Sequence, residues 1–268
     1  MYKLWQRYRY SVILLTQLVK TDFKLRYQGS VLGYLWSLLR PLAIFAILYI
    51  VFVKFLRIGA DIPHFPLYLL LGIVLWNYFA EVTSIGISSV VSRGDLIRKL
   101  NFPKYVIVVS ASFSALINLA LNFIVIAIFM SLTGVDISPS AVIMVPLLII
   151  ELFIFALGVS FLLSALFVKF RDINYIWEVV MQAAFYVTPI LYPLSIIPVK
   201  AAKVLLLNPV AQIIQDMRSL LITPQALTIA HLYDNPYIYL LPTGIVLLVA
   251  LAGAAYFRKQ SKYFAEEV

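Results

Sequence analysis

Six stretches of the chain are mainly apolar over the roughly 20 residues that a helix needs to cross a bilayer core. They lie near residues 35–56, 67–91, 105–132, 142–168, 174–193 and 238–257. Each is predicted as a transmembrane helix. Ahead of the first, residues 1–27 mix Trp5, Tyr8, Tyr10, Ile13, Leu14 and Leu18 with Lys3, Arg7, Arg9, Lys20, Lys24 and Arg26. That mixture predicts an amphipathic helix lying in the interface of an anionic leaflet, although a plain positive flank reads the same way. Between the fifth and sixth stretches the chain is too apolar for a wet loop, yet Pro193, Pro198, Pro209, Pro224 and Pro236 interrupt it. Short re-entrant or interfacial helices fit, because broken backbone at membrane depth survives only where protein or a water-filled cavity satisfies it. The expected fold is an all-α membrane protein with a single transmembrane domain over residues 1–268.

Composition agrees: hydrophobic residues are 63% and charged residues 12% of 268 positions, against about 25% charge in a soluble domain. Mean hydropathy is +0.98. There is no cysteine and histidine occurs only at His64 and His231, which removes disulfides, thiolate chemistry and the usual zinc sites. The first apolar run is interrupted by Lys20, Asp22, Lys24 and Arg26 before any small-residue cleavage site, so a cleaved signal peptide is not expected. With the N-terminus inside, fifteen Lys and Arg face the cytoplasm and five the other side, leaving Arg40 within the first span. The positive-inside rule then places both termini in the cytoplasm. The last three spans do not repeat the first three, so a pathway calls for a second copy, and a homodimer is the expected assembly.

Candidate chemistry is sparse. Glu81, Glu151, Asp172 and Glu178 lie in or beside spans without metal-ligand spacing, and no catalytic constellation for a membrane enzyme is visible. Glu81 and Glu151 leave a proton-coupled secondary carrier open, alongside plain structural roles. None of the ten glycines precedes a lysine, so no phosphate-cradling loop is present and any ATPase must be another chain. Such a chain needs a cytoplasmic docking surface. "RGDLIRKLNFPKY", residues 93–105, offers Arg93, Arg98, Lys99 and Lys104 as charge, Leu96, Ile97, Leu100 and Phe102 as an apolar side, and Pro103 as a helix limit. A cytoplasmic loop that simply collects positive charge has the same composition.

Seven segments occur in order: "LRYQGSVLGYLWSLLRPL" from Leu25, "YIVF" from Tyr49, "YLLLGIVLWNYF" from Tyr68, "LIRKLNFPKY" from Leu96, "KFRDINYIW" from Lys169, "TPILYP" from Thr188 and "NPVAQIIQDMR" from Asn208. Together they resemble the membrane domain of type-2 ABC polysaccharide exporters, the permeases for O-antigen, capsule and teichoic acid. The resemblance implies a homodimer in the bacterial inner membrane, bound to two copies of a separate ABC ATPase that carries ATP and Mg. It further implies export of a lipid-linked polysaccharide, with no cofactor or nucleic acid bound by this chain. By the same resemblance residues 1–27 are the interface helix, 93–104 the coupling region, with Arg93, Leu96, Ile97, Arg98, Lys99, Phe102 and Pro103 facing the ATPase, and 194–222 external gate helices. An ABC exporter of a smaller lipid or drug would share this architecture.

Aromatics make up 15% of the chain. A polysaccharide slides by stacking its sugar faces on rings, which nominates Tyr34, Trp36, Trp76, Tyr78, Phe79, Tyr175, Trp177, Tyr186 and Tyr192 as channel lining. Trp and Tyr also gather at bilayer interfaces as anchors, so both roles stand for each. Arg26 and Arg40 flank the first span and suit the pyrophosphate of a polyprenyl carrier, while headgroup binding by Arg26 and pairing of Arg40 with Glu81 fit equally well.

Overall fold

In a computed structural model the described residues are 2–26, 30, 32–57, 62–100, 102–135 and 137–267, and the side chains of 2–10, 23, 25, 26, 34 and 236 lie outside that description. Helices, turns and loops account for the described residues. Helix α1 (Tyr2–Arg26) packs along the later helix α5. Helix α2 (Trp36–Leu48) contains Pro41 and continues in a wider π-helical turn, Tyr49–Phe55. Helix α3 (Phe65–Ser89) runs to a 3-10 turn, Val91–Arg93, and the short α4 (Gly94–Lys99). Then come α5 (Tyr105–Thr133), α6 (Ala141–Lys169), α7 (Ile173–Val187), α8 (Val199–Leu205), α9 (Pro209–Leu221), α10 (Ile229–Leu232), α11 (Leu240–Gln260) and α12 (Phe264–Glu267).

Among the described residues five segments are long and apolar enough to cross a membrane: Trp36–Phe55, Phe65–Ser89, Tyr105–Thr133, Ala141–Lys169 and Tyr237–Gln260. The sixth expected span, 174–193, contains the 15-residue α7. It rises only about 22 Å, short of a core of about 30 Å. It stops there because Thr188 precedes Pro189, and a residue before proline is pushed out of the helical region; Thr188 has ψ 134°. The proline-rich 194–222 segment does form short helices, α8 and α9. Helix α9 begins where Asn208 accepts a hydrogen bond from the Val210 N–H at 3.0 Å and Pro209 takes the first turn.

Helix α3 is the axis of the fold. It is buried along most of its length, with α2, α5, α6, α7 and α9 packed around it. Helices α6 and α11 cross closely at glycines: a Cβ on Gly253 would stand 2.2 Å from the Gly158 carbonyl oxygen. In lipid, where apolar burial gives helices little reason to associate, such small residues allow the backbone approach that packing requires. At one end of the bundle Val90, Ile97, Phe102, Val168, Phe257 and Phe264 form a separate apolar cluster that joins α4, α6, α11 and α12.

Candidate functional site

Of two cavities among the described residues that hold charged side chains, the larger, about 510 Å³, lies between α2, α3 and α5. Its polar lining comes from Arg40, Asn77, Tyr78, Glu81, Asn118 and Asn122, with Trp36 at its edge. Asn118 Nδ2 donates to Glu81 Oε1 at 2.9 Å and Asn122 Nδ2 to the Asn118 carbonyl at 2.8 Å. The Tyr78 hydroxyl and Asn118 Oδ1 are buried without a hydrogen-bond partner. Such groups cost free energy unless water or a ligand meets them. Glu81 stands about 12 Å along the axis from the α3 terminus at Ser89, so this polar chamber belongs to the half of the bundle nearer α4. It brings together Arg40, Trp36 and Tyr78 of the expected site residues. The side chains of Arg26 and Tyr34 lie outside the described residues.

The other aromatics do not form one wall. Trp76 and Phe79 are core residues: Trp76 packs edge-on to Phe185 with centroids 5.9 Å apart, and Phe79 stacks on Phe155 at 5.4 Å. For these two the packing role is the one the structure displays. Trp177 Nε1 donates to Thr83 Oγ1 at 3.1 Å, and the Tyr192 hydroxyl donates to the carbonyls of Tyr186 and Val187, closing the C-terminal end of α7. Tyr175 and Tyr186 are 70% and 63% exposed. With Glu178 and Gln182, both exposed, they are spaced i, i+3, i+7 and i+11 on α7, one face of a helix. The opposite stripe of Trp177, Met181, Ala184 and Phe185 is packed into the core. A carboxylate and an amide between two tyrosines form a polar stripe that suits water better than lipid tails.

The cationic segment is anchored within its own chain. Arg93 forms an ion pair with Asp22 of α1, and its other guanidinium nitrogen donates to Ser110 Oγ at 3.1 Å. Ile97 and Phe102 are buried, Leu96 and Pro103 are partly buried, and Lys104 Nζ donates to the Ser261 carbonyl at 2.9 Å. An apolar side made of Leu96, Ile97, Leu100 and Phe102 is therefore not presented outward as a unit. Ile97 and Phe102 hold α4 against α11 and α12, while Asp95, Arg98, Lys99 and Leu100 remain exposed. Hydrophobicity alone does not tell an anchoring face from a docking face.

Arg218, the last residue of the "NPVAQIIQDMR" segment, has no individual role in the sequence reading. The structure buries it completely. Its Nε donates to the Tyr68 carbonyl at 2.9 Å, Nη1 to the Pro189 carbonyl at 2.6 Å and Gln215 Oε1 at 3.0 Å, and Nη2 to the Ile190 carbonyl at 2.7 Å. The guanidinium carbon lies 3.6 Å from the centroid of the Tyr68 ring. Burial pushes its pKa down, and the interaction with Tyr68 opposes that. One side chain thus ties α9 and the "TPILYP" turn to the start of α3. The available signal was Gly72 in "YLLLGIVLWNYF": a Cβ there would lie 2.4 Å from Arg218 Nη2.

Glu81 and Glu151 stand apart, Glu81 in the larger cavity and Glu151 in a second one between α6, α9 and α11. Residues 13–222 match the family described as ABC-2 type transporter, ABC2_membrane. A Klebsiella pneumoniae protein named O-antigen export system permease protein RfbA is 33% identical over 257 residues, 96% of this chain and 95% of that one. A Myxococcus xanthus protein of the same name is 30% identical over 263 residues, 97% of each chain. The chain belongs to the ABC-2 type transporter family, as a permease subunit.

Proposed function

We propose that this chain is the membrane subunit of an O-antigen exporter, working as a homodimer with two ABC ATPase subunits that bind ATP and Mg. The observation that carries this reading is similarity along almost the full length to permeases named for O-antigen export. On this reading the bundle end bearing α4 and both termini is cytoplasmic, in the inner membrane. A lipid-linked polysaccharide enters near the larger cavity, whose Arg40 meets the pyrophosphate. The second copy covers α2, none of whose side chains is buried, and leaves the exposed stripe of α7 open to a path between the two copies. Tyr175, Glu178, Gln182 and Tyr186 then border the aqueous path, offering rings to sugar faces and polar groups to hydroxyls.

ATPase motion enters through the exposed Arg98, Lys99 and Leu100, and passes by way of Ile97 and Phe102 into α11 and by way of Arg93 into α1. The test is co-purification of the permease with its cognate ABC ATPase, followed by ATP hydrolysis with and without lipid-linked O-polysaccharide. The wild-type complex should form and respond to substrate, and an Arg98→Ala/Lys99→Ala/Leu100→Ala variant should lose the response while the permease stays folded. Failure of any ABC ATPase to associate with wild type would sink the proposal.

A further inference from the structure

The second cavity, about 390 Å³ between α6, α9 and α11, has a chemistry the export path does not use. Glu151 and Asp216 both line it, with the hydroxyl-bearing Thr228, Tyr239 and Thr243, and no Lys or Arg is among its lining residues. Thr243 Oγ1 donates to Glu151 Oε1 at 2.8 Å, and Gln212 Nε2 to Asp216 Oδ2 at 2.5 Å. Gln212 is 4% exposed, and its carbonyl oxygen, Oε1, has no hydrogen-bond partner. The cavity is thus rich in acceptors and lacks a cation, in a chain whose net charge is +9. Burial, helped by the field of Glu151, pushes the Asp216 carboxyl up to about 6, the behaviour of a carboxylate without a positive partner.

The wall of the cavity identifies the source of that partner. Met144 and Leu147 line it and are 47% and 53% exposed, on an α6 face continued by the exposed Ile143 and Ile150. An apolar surface of this kind on a spanning helix is where acyl chains lie. A group entering from it brings a charged head attached to a lipid. The acceptors suit a compact head with several N–H donors, which a primary ammonium has and a quaternary ammonium lacks.

We propose that this cavity binds the primary ammonium headgroup of a membrane phospholipid such as phosphatidylethanolamine, with Glu151, Asp216 and the Gln212 carbonyl accepting its hydrogen bonds and the acyl chains lying along α6. The site lies at the α9 end of the bundle, away from the α4 cluster, and bound lipid clamps α9 to α6 and α11.

The test is native mass spectrometry of the full chain in detergent, titrated with dioleoyl phosphatidylethanolamine or dioleoyl phosphatidylcholine. Wild type should bind the ethanolamine lipid about tenfold more tightly, because methylation removes every ammonium donor. Glu151→Gln/Asp216→Asn should bind the two lipids equally. Leu147→Trp, which fills the cavity from its lipid side and leaves the carboxylates in place, should also abolish the preference, so the result does not depend on how the double variant folds. Equal binding of the two lipids by wild type overturns the proposal, as does a preference that survives in either folded variant. Ethylammonium chloride that raises the melting temperature in lipid-free detergent as much as the ethanolamine lipid does would overturn the lipid assignment in favour of a free cation.

Discussion

Replacing Arg218 by methionine keeps most of the side-chain volume and removes the guanidinium donors that join α9 to α3 and the 188–192 turn, leaving the Tyr68 hydroxyl's bond to Gln215 Oε1 at 3.0 Å in place. Four hydrogen bonds are lost, and the carbonyls of Pro189 and Ile190 are left buried where the guanidinium had met them. At about 1–3 kcal/mol for each stranded acceptor, plus the contact with the Tyr68 ring, the loss comes to roughly 4 kcal/mol. For a chain of this size that corresponds to a melting temperature lower by about 10 °C. The assay is a thermal melt of the purified permease in detergent, read as the folded fraction on size exclusion. Arg218→Lys should recover less than half the loss, since one ammonium cannot span donors fixed in a planar fork. Gly72→Ala, whose Cβ would crowd Nη2 at 2.4 Å, should be destabilised by the same route. A methionine variant that melts within about 3 °C of wild type, or a lysine variant equal to it, would refute the reasoning that this guanidinium pins α9 to α3.

Asp216 has a folded pKa of about 6, raised above its ordinary 3.8, so the folded state holds a proton that the unfolded chain has released between those values. Its stabilising contribution is complete below pH 3.8 and is lost as pH rises through 6; Asp216→Asn in lipid-free detergent should flatten that part of the stability profile and melt about 5 °C higher at pH 7.5. An unchanged profile would show that the aspartate is solvated as an ordinary surface acid. Gly253→Ala would force a Cβ into the Gly158 carbonyl, and overpacking of about 1–3 kcal/mol should lower the yield of folded permease, whereas Gly244→Ala, with open space around it, should not. Phe264→Ala empties a fully buried position 5.3 Å from the Phe257 ring; a cost of about 3–5 kcal/mol should free α12 from α4 and speed tryptic cleavage at Arg98 and Lys99. Cleavage at the wild-type rate would remove α12 as the support of α4.

The membrane class, five of the six expected spans and the proline-broken helices before α11 were legible in the sequence, because a bilayer demands long apolar runs and proline interrupts helices locally; 174–193 read as a sixth span because its apolar run hides the break at Thr188–Pro189. The ordered motifs from Leu25 to Arg218 were equally legible, and the family match follows them. Tertiary structure decided what depends on which face turns where. Trp76 and Phe79 entered the core while Tyr175 and Tyr186 stayed outside it, although all four are aromatic residues on apolar helices. Ile97 and Phe102 turned inward to the chain's own C-terminal helices. Arg218 became a buried connector, which no count of charges reveals, because its partners are backbone carbonyls distant in sequence. Local pattern determines whether a residue can enter a membrane helix; the register between helices, set here by Gly72, Gly158 and Gly253 and by carbonyls 28 to 150 positions away, determines what it meets.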